Sequence, residues 1–144
     1  MSREPRVKSA TRNTSQRRAL LKAFEKAARP LSPQQALELA APHADGLGIA
    51  TVYRNLKAMA AGGVLKAVSL PGESTARYEL CGKAHHHHFH CRRCHHVYEV
   101  EGCPGNIEPL APKGFLLEDH EVVLYGLCAA CQPKGSKPTR RSMR

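Results

Sequence analysis

IATVYRNLKAMAAGGVLKAVSLPGESTARYELC, residues 49–81, is the stretch from which the fold is read. At roughly 100° per residue, Ile49, Val52, Leu56 and Met59 gather on one side of a helix, the side expected to face a core. Ala50, Arg54, Lys57 and Ala61 lie opposite, with Tyr53 at the margin. Gly62-Gly63 closes the helix. Two short strands are expected next, about Val64–Leu70 and Ala76–Cys81, joined by the turn sequence Pro71-Gly72-Glu73-Ser74. Upstream, Leu20, Leu21 and Phe24 mark a helix over about Ser15–Ala28. Ser32-Pro33-Gln34-Gln35 opens another, with Ser32 as cap, Pro33 at the first helical position and Gln35 completing a capping box; it ends near Pro42. Three helices followed by a hairpin is the order of a winged helix-turn-helix. The exposed face of the third helix suits a major groove, because its alanines permit close approach, Arg54 can read a guanine edge and Lys57 can reach phosphate. An amphipathic helix with a merely solvated basic face has the same pattern.

Outside this stretch the charge distribution is informative. The 144 residues carry a net charge of +10. Residues 1–18 hold Arg3, Arg6, Lys8, Arg12, Arg17 and Arg18 against Glu4, and residues 133–144 hold Lys134, Lys137, Arg140, Arg141 and Arg144. The intervening chain is neutral. Basic arms on a neutral body suggest phosphate contact, with nucleic acid as partner; solubilising tails are the plainer alternative. No stretch approaches the roughly 18 apolar residues of a membrane helix, and the N-terminal residues lack an apolar secretory core. A cytoplasmic protein with no membrane partner is expected. Thiols stay reduced there, so the six cysteines read as ligands rather than disulfides.

Cys91-Arg92-Arg93-Cys94 and Cys128-Ala129-Ala130-Cys131 are two C-x2-C pairs. Two thiolates three residues apart in a tight turn can face one tetrahedral zinc, and two such turns fill all four positions. A closed site of this kind is structural. Between Leu80 and Cys94 the chain reads CGKAHHHHFHCRRC. On a strand, alternate residues share a face, so His86 and His88 point one way and His85 and His87 the other. One segment can therefore serve two different metal sites. Imidazoles with a thiolate and a carboxylate suit Zn(II), and Fe(II), Co(II) and Ni(II) also fit.

With these motifs in place, the sequence resembles the ferric uptake regulator family over about residues 13–132. Ala50-Thr51-Val52-Tyr53-Arg54-Asn55-Leu56 is similar to its recognition helix. Arg77-Tyr78-Glu79-Leu80, the His run with Cys91-x2-Cys94, and His120 through Leu124-Tyr125-Gly126-Leu127-Cys128 with Cys131 follow in the family's order. The resemblance implies an α+β protein: an N-terminal winged helix-turn-helix over 13–80, then a small α/β dimerisation domain over 81–132 with a four-cysteine structural zinc site. Residues 1–12 and 133–144 would be disordered basic arms. It implies a homodimeric, metal-responsive repressor on a double-stranded DNA operator. Cys91, Cys94, Cys128 and Cys131 match the structural Zn(II) ligands, and His86, His88 and Glu99 match sensing-site ligands. The remaining sensing ligand is either Cys81, as in zinc sensors, or Glu79, as in iron and peroxide sensors. Thiolate favours Zn(II), so the lean is to a zinc sensor, with Fe(II) as the alternative. His85, His87, His120 and Glu108 match a second site. Thr51, Tyr53, Arg54, Lys57 and Arg17 are the expected DNA contacts.

The chain departs from the family in several places, one of them just before the second helix, where iron sensors often have a His and Pro30 and Leu31 stand here. Leu65-Lys66-Ala67 offers no ligand in the first wing strand. Pro104, Pro109 and Pro112 disfavour the long helix usual over Gly102–Lys113. Cys103 and His43 have no assigned role. The remaining alternatives come from other classes. A zinc hydrolase or deaminase would need an open metal position and a general base, and the H-x-E…P-C-x2-C signature is absent. A His-rich metal buffer would leave the basic arms and the third helix without a purpose. No enzymatic activity is expected.

Overall fold

The structure, a computed structural model, describes residues 6–135, with side chains from residue 12 onward. Helix α1 spans Arg6–Ala27, α2 Pro33–Ala40 and α3 Ile49–Ala61. A 3-10 turn over Ala41–His43 follows α2 and contains Pro42. The N-terminus of α2 forms as its sequence dictates. The Ser32 side chain accepts from the Gln35 amide, the Gln35 side chain accepts from the Ser32 amide, and Pro33 occupies the first turn. Helix α3 ends where expected, with Gly63 at φ 77° carrying the chain into the wing.

Helix α1 corrects one expectation. It begins at Arg6 rather than Ser15, so the segment 6–12 is helical and not a disordered arm. Nothing between Arg6 and Ser15 is Gly or Pro, so no residue there interrupts the helix. Residues 1–5 and most of the C-terminal arm, 136–144, lie outside the described residues.

Strands β1 (Leu65–Val68) and β2 (Arg77–Leu80) pair antiparallel, with Leu65 opposite Leu80 and Val68 opposite Arg77. Both are shorter than expected, because their outer ends bend into the turn and the domain junction. Leu31 exchanges two 2.9 Å backbone hydrogen bonds with Tyr78, adding a third rung to the wing just ahead of α2. Leu20, Phe24, Leu31, Val52, Leu56, Met59 and Leu65 form one core with Ala19, Ala23, Ala36 and Ala40, whose small side chains let the helices approach. Ile49 is 40% exposed and does not join this face. It is the first residue of α3, before the helix reaches the core.

The second unit is a three-stranded sheet in the order β4-β3-β5. Strand β3 (His87–Cys91) is central, β4 (Val97–Val100) runs antiparallel to it, and β5 (Val123–Gly126) runs parallel. A parallel pair needs a crossover. Here residues 101–122 supply it, and they form only a 3-10 turn at Glu108–Leu110, as the three prolines predict. Beyond Cys81, only His87, Cys91 and Val97 are buried among the described residues. So little apolar burial cannot hold a sheet together alone, and two of these three residues are of metal-ligating type. Leu110, Phe115, Leu116, Leu124, Tyr125 and Leu127 are exposed.

Candidate metal centres

Three groups of ligand-type side chains converge on or beside β3, each with its ligand atoms within 4.8 Å of one another. The first is Cys91, Cys94, Cys128 and Cys131. Cys91 ends β3 and Cys128 follows β5, so the two C-x2-C turns meet where the parallel strands finish side by side, Cys91 opposite Gly126. The Arg92 amide donates to the Gly126 carbonyl at 2.8 Å, tying the turns together. Burial alone would push the Cys91 thiol up, but backbone N–H groups of Cys128, Cys94 and Arg93 aimed at its sulfur hold it down at about 5. The Tyr98 hydroxyl, itself pushed up by the contact, donates to the Cys128 sulfur and lowers that thiol too. The pocket thus favours thiolate at Cys91 and Cys128, while the neighbouring Cys128 sulfur pushes the Cys131 thiol up to about 12, as crowded sulfurs do without a cation between them. The Cys94 and Cys128 sulfurs are 3.8 Å apart, and the edge of a tetrahedron with Zn–S of about 2.3 Å is about 3.8 Å. Donor chemistry and spacing both fit a structural zinc.

The second group is Glu79, His86 and His88. Glu79 lies on wing strand β2 and is almost fully buried. His86 precedes β3 and His88 is on it, so the carboxylate reaches across the junction between the two units. His86 Nε2 is 3.1 Å from both carboxylate oxygens, and His88 Nε2 is 3.0 Å from Oε2. Burial would raise the Glu79 carboxyl, but hydrogen bonds from His88 and His86 outweigh it and the net shift is downward. Burial likewise works against a charged His86, and the Ala84 carbonyl with Glu79 overcomes it, so its pKa is raised. Two expected members lie outside this group. Cys81 is exposed: β2 ends at Leu80, and Gly82 at φ 87° swings the chain away. Glu99 is directly opposite His88 in the sheet, but its carboxylate is paired with Lys83.

The third group is His85, His87, His120 and Cys103. The first three are those the sequence assigned together. Glu108 is not among them. It opens the 3-10 turn and is exposed, and Cys103 stands in the place expected of it. The alternation along the His run therefore holds: odd-numbered His85 and His87 serve one cluster and even-numbered His86 and His88 the other. His90 shares the even face but faces Glu73 of the wing turn at 3.4 Å. His43 joins no group.

Residues 8–125 match the model of the Ferric uptake regulator family. The chain belongs to that family. A Ferric uptake regulation protein of Campylobacter jejuni is 33% identical over 129 residues, covering 86% of this chain and 82% of that protein. The structure of the ferric uptake regulator from Francisella tularensis with iron is 32% identical, with a TM-score of 0.61 over 81% of this chain and 90% of that one. A zinc-bound manganese uptake regulator is 25% identical, with a TM-score of 0.66 over 78% and 87%. As a ferric uptake regulator homologue, the chain is a metal-responsive, DNA-binding transcription regulator, and its four-cysteine cluster is compatible with a structural zinc. No described helix is long and apolar enough to cross a membrane.

The basic face of α3 in this family member is presented openly. Tyr53, Arg54 and Lys57 are exposed on α3, and Arg54 donates to the Thr51 hydroxyl at 3.1 Å. Thr51 and Arg54 share a cleft with Arg12, Asn13 and Gln16 of α1. Arg17 is exposed on α1 but does not line that cleft. The sequence reading missed Arg12 as a neighbour of α3, since the first turns of its helix were taken for a free arm. Gly46, at φ 68°, is the signal: its bare backbone receives the Arg12 guanidinium.

Proposed function

We propose that this chain is a homodimeric repressor that binds its operator when a divalent metal is held by Glu79, His86 and His88, and that Fe(II) is the ion it reads. The observation that carries this is the buried Glu79 carboxylate of the wing meeting two imidazoles of the β3 segment at 3.0–3.1 Å. A metal there would join the two units rigidly and set the spacing of two recognition helices in a dimer. Order imposed before DNA arrives raises affinity. Two imidazoles with one carboxylate suit Fe(II), and Ferric uptake regulation proteins are among the chain's relatives. The lean to zinc rested on Cys81, which stands outside the cluster.

Thr51, Tyr53, Arg54 and Lys57 would face the major groove, with Arg12 and Arg17 on phosphates. The apolar surface of β5 and the crossover, including Phe115, Leu116, Leu124 and Leu127, would be covered by a second copy. A zinc-sensing reading keeps one specific support: Cys81 lines the same cleft as Glu79, His86 and His88. Operator binding titrated against buffered Fe(II) and Zn(II) decides between them. Wild type and Cys81→Ser should respond to Fe(II), and Glu79→Ala should not. Loss of the response in Cys81→Ser, with Glu79→Ala unaffected, would sink the iron reading in favour of zinc.

A further inference from the structure

Cys103 belongs neither to the four-cysteine centre nor to the Glu79 cluster. It lies in the proline-rich crossover with its Sγ 3.1 Å from His120 Nε2. That nitrogen is 3.2 Å from His85 Nε2. The His87 ring packs against both imidazoles, with centroids 4.6 Å from His85 and 5.0 Å from His120. Around a tetrahedral zinc with Zn–N of about 2.0 Å and Zn–S of about 2.3 Å, neighbouring donor atoms stand roughly 3.3–3.6 Å apart. The observed separations are close to that.

A second observation is independent of the cysteine. His87 is 2% exposed, and its Nε2 is buried without a hydrogen-bond partner. A buried polar atom left unpaired calls for an explanation, and an absent ion is one. The Val122 amide donates to His87 Nδ1 at 3.2 Å, which leaves the proton on the unpaired Nε2. Ligation there would exchange that hydrogen bond for a metal bond, the proton moving to Nδ1. Three imidazoles converging on one point mark the ligand position.

We infer that Cys103 is the fourth ligand of a His85–His87–His120–Cys103 centre, and that its sulfur selects Zn(II) over Fe(II) and Mn(II) there. The donor set is three nitrogens and one thiolate, where the resemblance alone had put the carboxylate of Glu108. Thiolate is the softest of these ligands and imidazole suits zinc, whereas carboxylates suit Mn(II). On binding, the thiol proton passes to solvent as the metal–sulfur bond forms. The two clusters flanking β3 then differ in kind: nitrogen and oxygen donors at Glu79, nitrogen and sulfur donors at Cys103. The inference rests on the proposed function only in treating the chain as a metal-dependent regulator.

Co(II) is the probe. The full-length chain is first given one equivalent of zinc to fill the four-cysteine centre, then titrated with Co(II). The near-ultraviolet sulfur-to-cobalt charge-transfer absorption should grow together with intense visible bands of tetrahedral cobalt. Cys103→Ser should lose the charge-transfer absorption and weaken Co(II) and Zn(II) binding at this centre by at least ~10-fold, since even residues behind the ligands are worth that much. Cys103→Asp should bind metal without the absorption, and Glu108→Gln should match wild type. Persistence of the absorption in Cys103→Ser, its loss in Cys81→Ser, or weakened binding in Glu108→Gln alone would overturn the assignment. Cys103 is exposed, so its replacement does not threaten folding. The Glu79 cluster contains no sulfur, so its own failure would appear in Fe(II)-dependent operator binding and leave the cobalt spectrum unchanged.

Discussion

Replacing Arg77 with Ala should cost the winged-helix unit about 2–3 kcal/mol. Arg77 is buried at the start of β2 and makes three side-chain hydrogen bonds. Two run to the Glu73 carboxylate in the wing turn, from Nε and Nη2 at 3.1 Å each, and one runs from Nη1 to Gln35 Oε1 at 3.1 Å. The same Gln35 oxygen accepts from the Ser32 amide at 3.0 Å, so Arg77 holds the wing against the capping box of α2. Breaking a fully buried ion pair costs roughly 3–5 kcal/mol, and an exposed pair is worth about 0–1. This pair lies between, with side chains 7% and 23% exposed, and the Gln35 bond adds about 1 kcal/mol. For a unit of this size the loss should lower Tm by roughly 10–15 °C. Far-ultraviolet circular dichroism reads it directly, because the three long helices all lie in this unit. A double-mutant cycle with Glu73→Gln should return a coupling of about 1–2 kcal/mol. The Glu73 carboxyl lies below its usual range, chiefly through the Arg77 hydrogen bond. A depressed carboxyl stabilises the fold fully above its unfolded pKa of about 4.3 and stops doing so as pH falls through the lower folded value. The coupling should therefore be constant from neutral pH to about 5 and vanish in stronger acid. A cost below about 0.5 kcal/mol for Arg77→Ala, or a coupling near zero at pH 7, would refute the reasoning.

Other perturbations have equally definite outcomes. Ala28 closes α1 at φ 50°, a conformation in which a Cβ costs about 1 kcal/mol; Ala28→Gly should raise Tm by a few degrees in the same melt. Cys128→Ser removes one of four thiolates, so bound zinc should fall by one equivalent per chain and the β4-β3-β5 sheet should lose amide-exchange protection while α1–α3 keep theirs. Gly46→Ala puts a Cβ into the Arg12 guanidinium at a positive φ. It should weaken operator binding and make its log–log salt dependence shallower by about 0.9, one phosphate contact; an unchanged slope would remove Arg12 from the DNA face.

The helical half of the fold was legible because its signals are local. Ser32, Pro33 and Gln35 specify a capping box within four residues, and Gly62-Gly63 stops α3 at the right place. The four cysteines and the alternation of the His run were legible for the same reason: spacing within a turn or strand fixes direction. The residues that stand outside their expected groups are those whose positions depend on where a strand ends or on a distant partner. Glu79 and Cys81 are two apart and would share a face if β2 continued, but Gly82 turns the chain between them and the His run. Glu99 sits opposite His88 as a sensing ligand should, yet Lys83 holds it. Cys103 and Glu108 lie in a crossover without periodicity, so nothing in the sequence says which of them faces His120. The start of α1 was misjudged because charge was read as disorder, although no residue from Arg6 onward interrupts a helix.

Strand β3 borders all three clusters, with odd histidines on one face, even histidines on the other and Cys91 at its end. Side chains alternate with a period of two, so a slip of one residue would exchange every ligand between the two histidine clusters. Cys91 holds the strand's phase from both sides: its amide donates to the His96 carbonyl ahead of β4, while its sulfur accepts from the Cys128 amide and the neighbouring Arg92 amide donates to the Gly126 carbonyl. A zinc held by the four cysteines would act as an indexing pin, reinforcing the register that keeps the odd and even histidines on their own faces. Metal at that pin would then steady two binding places it does not itself touch.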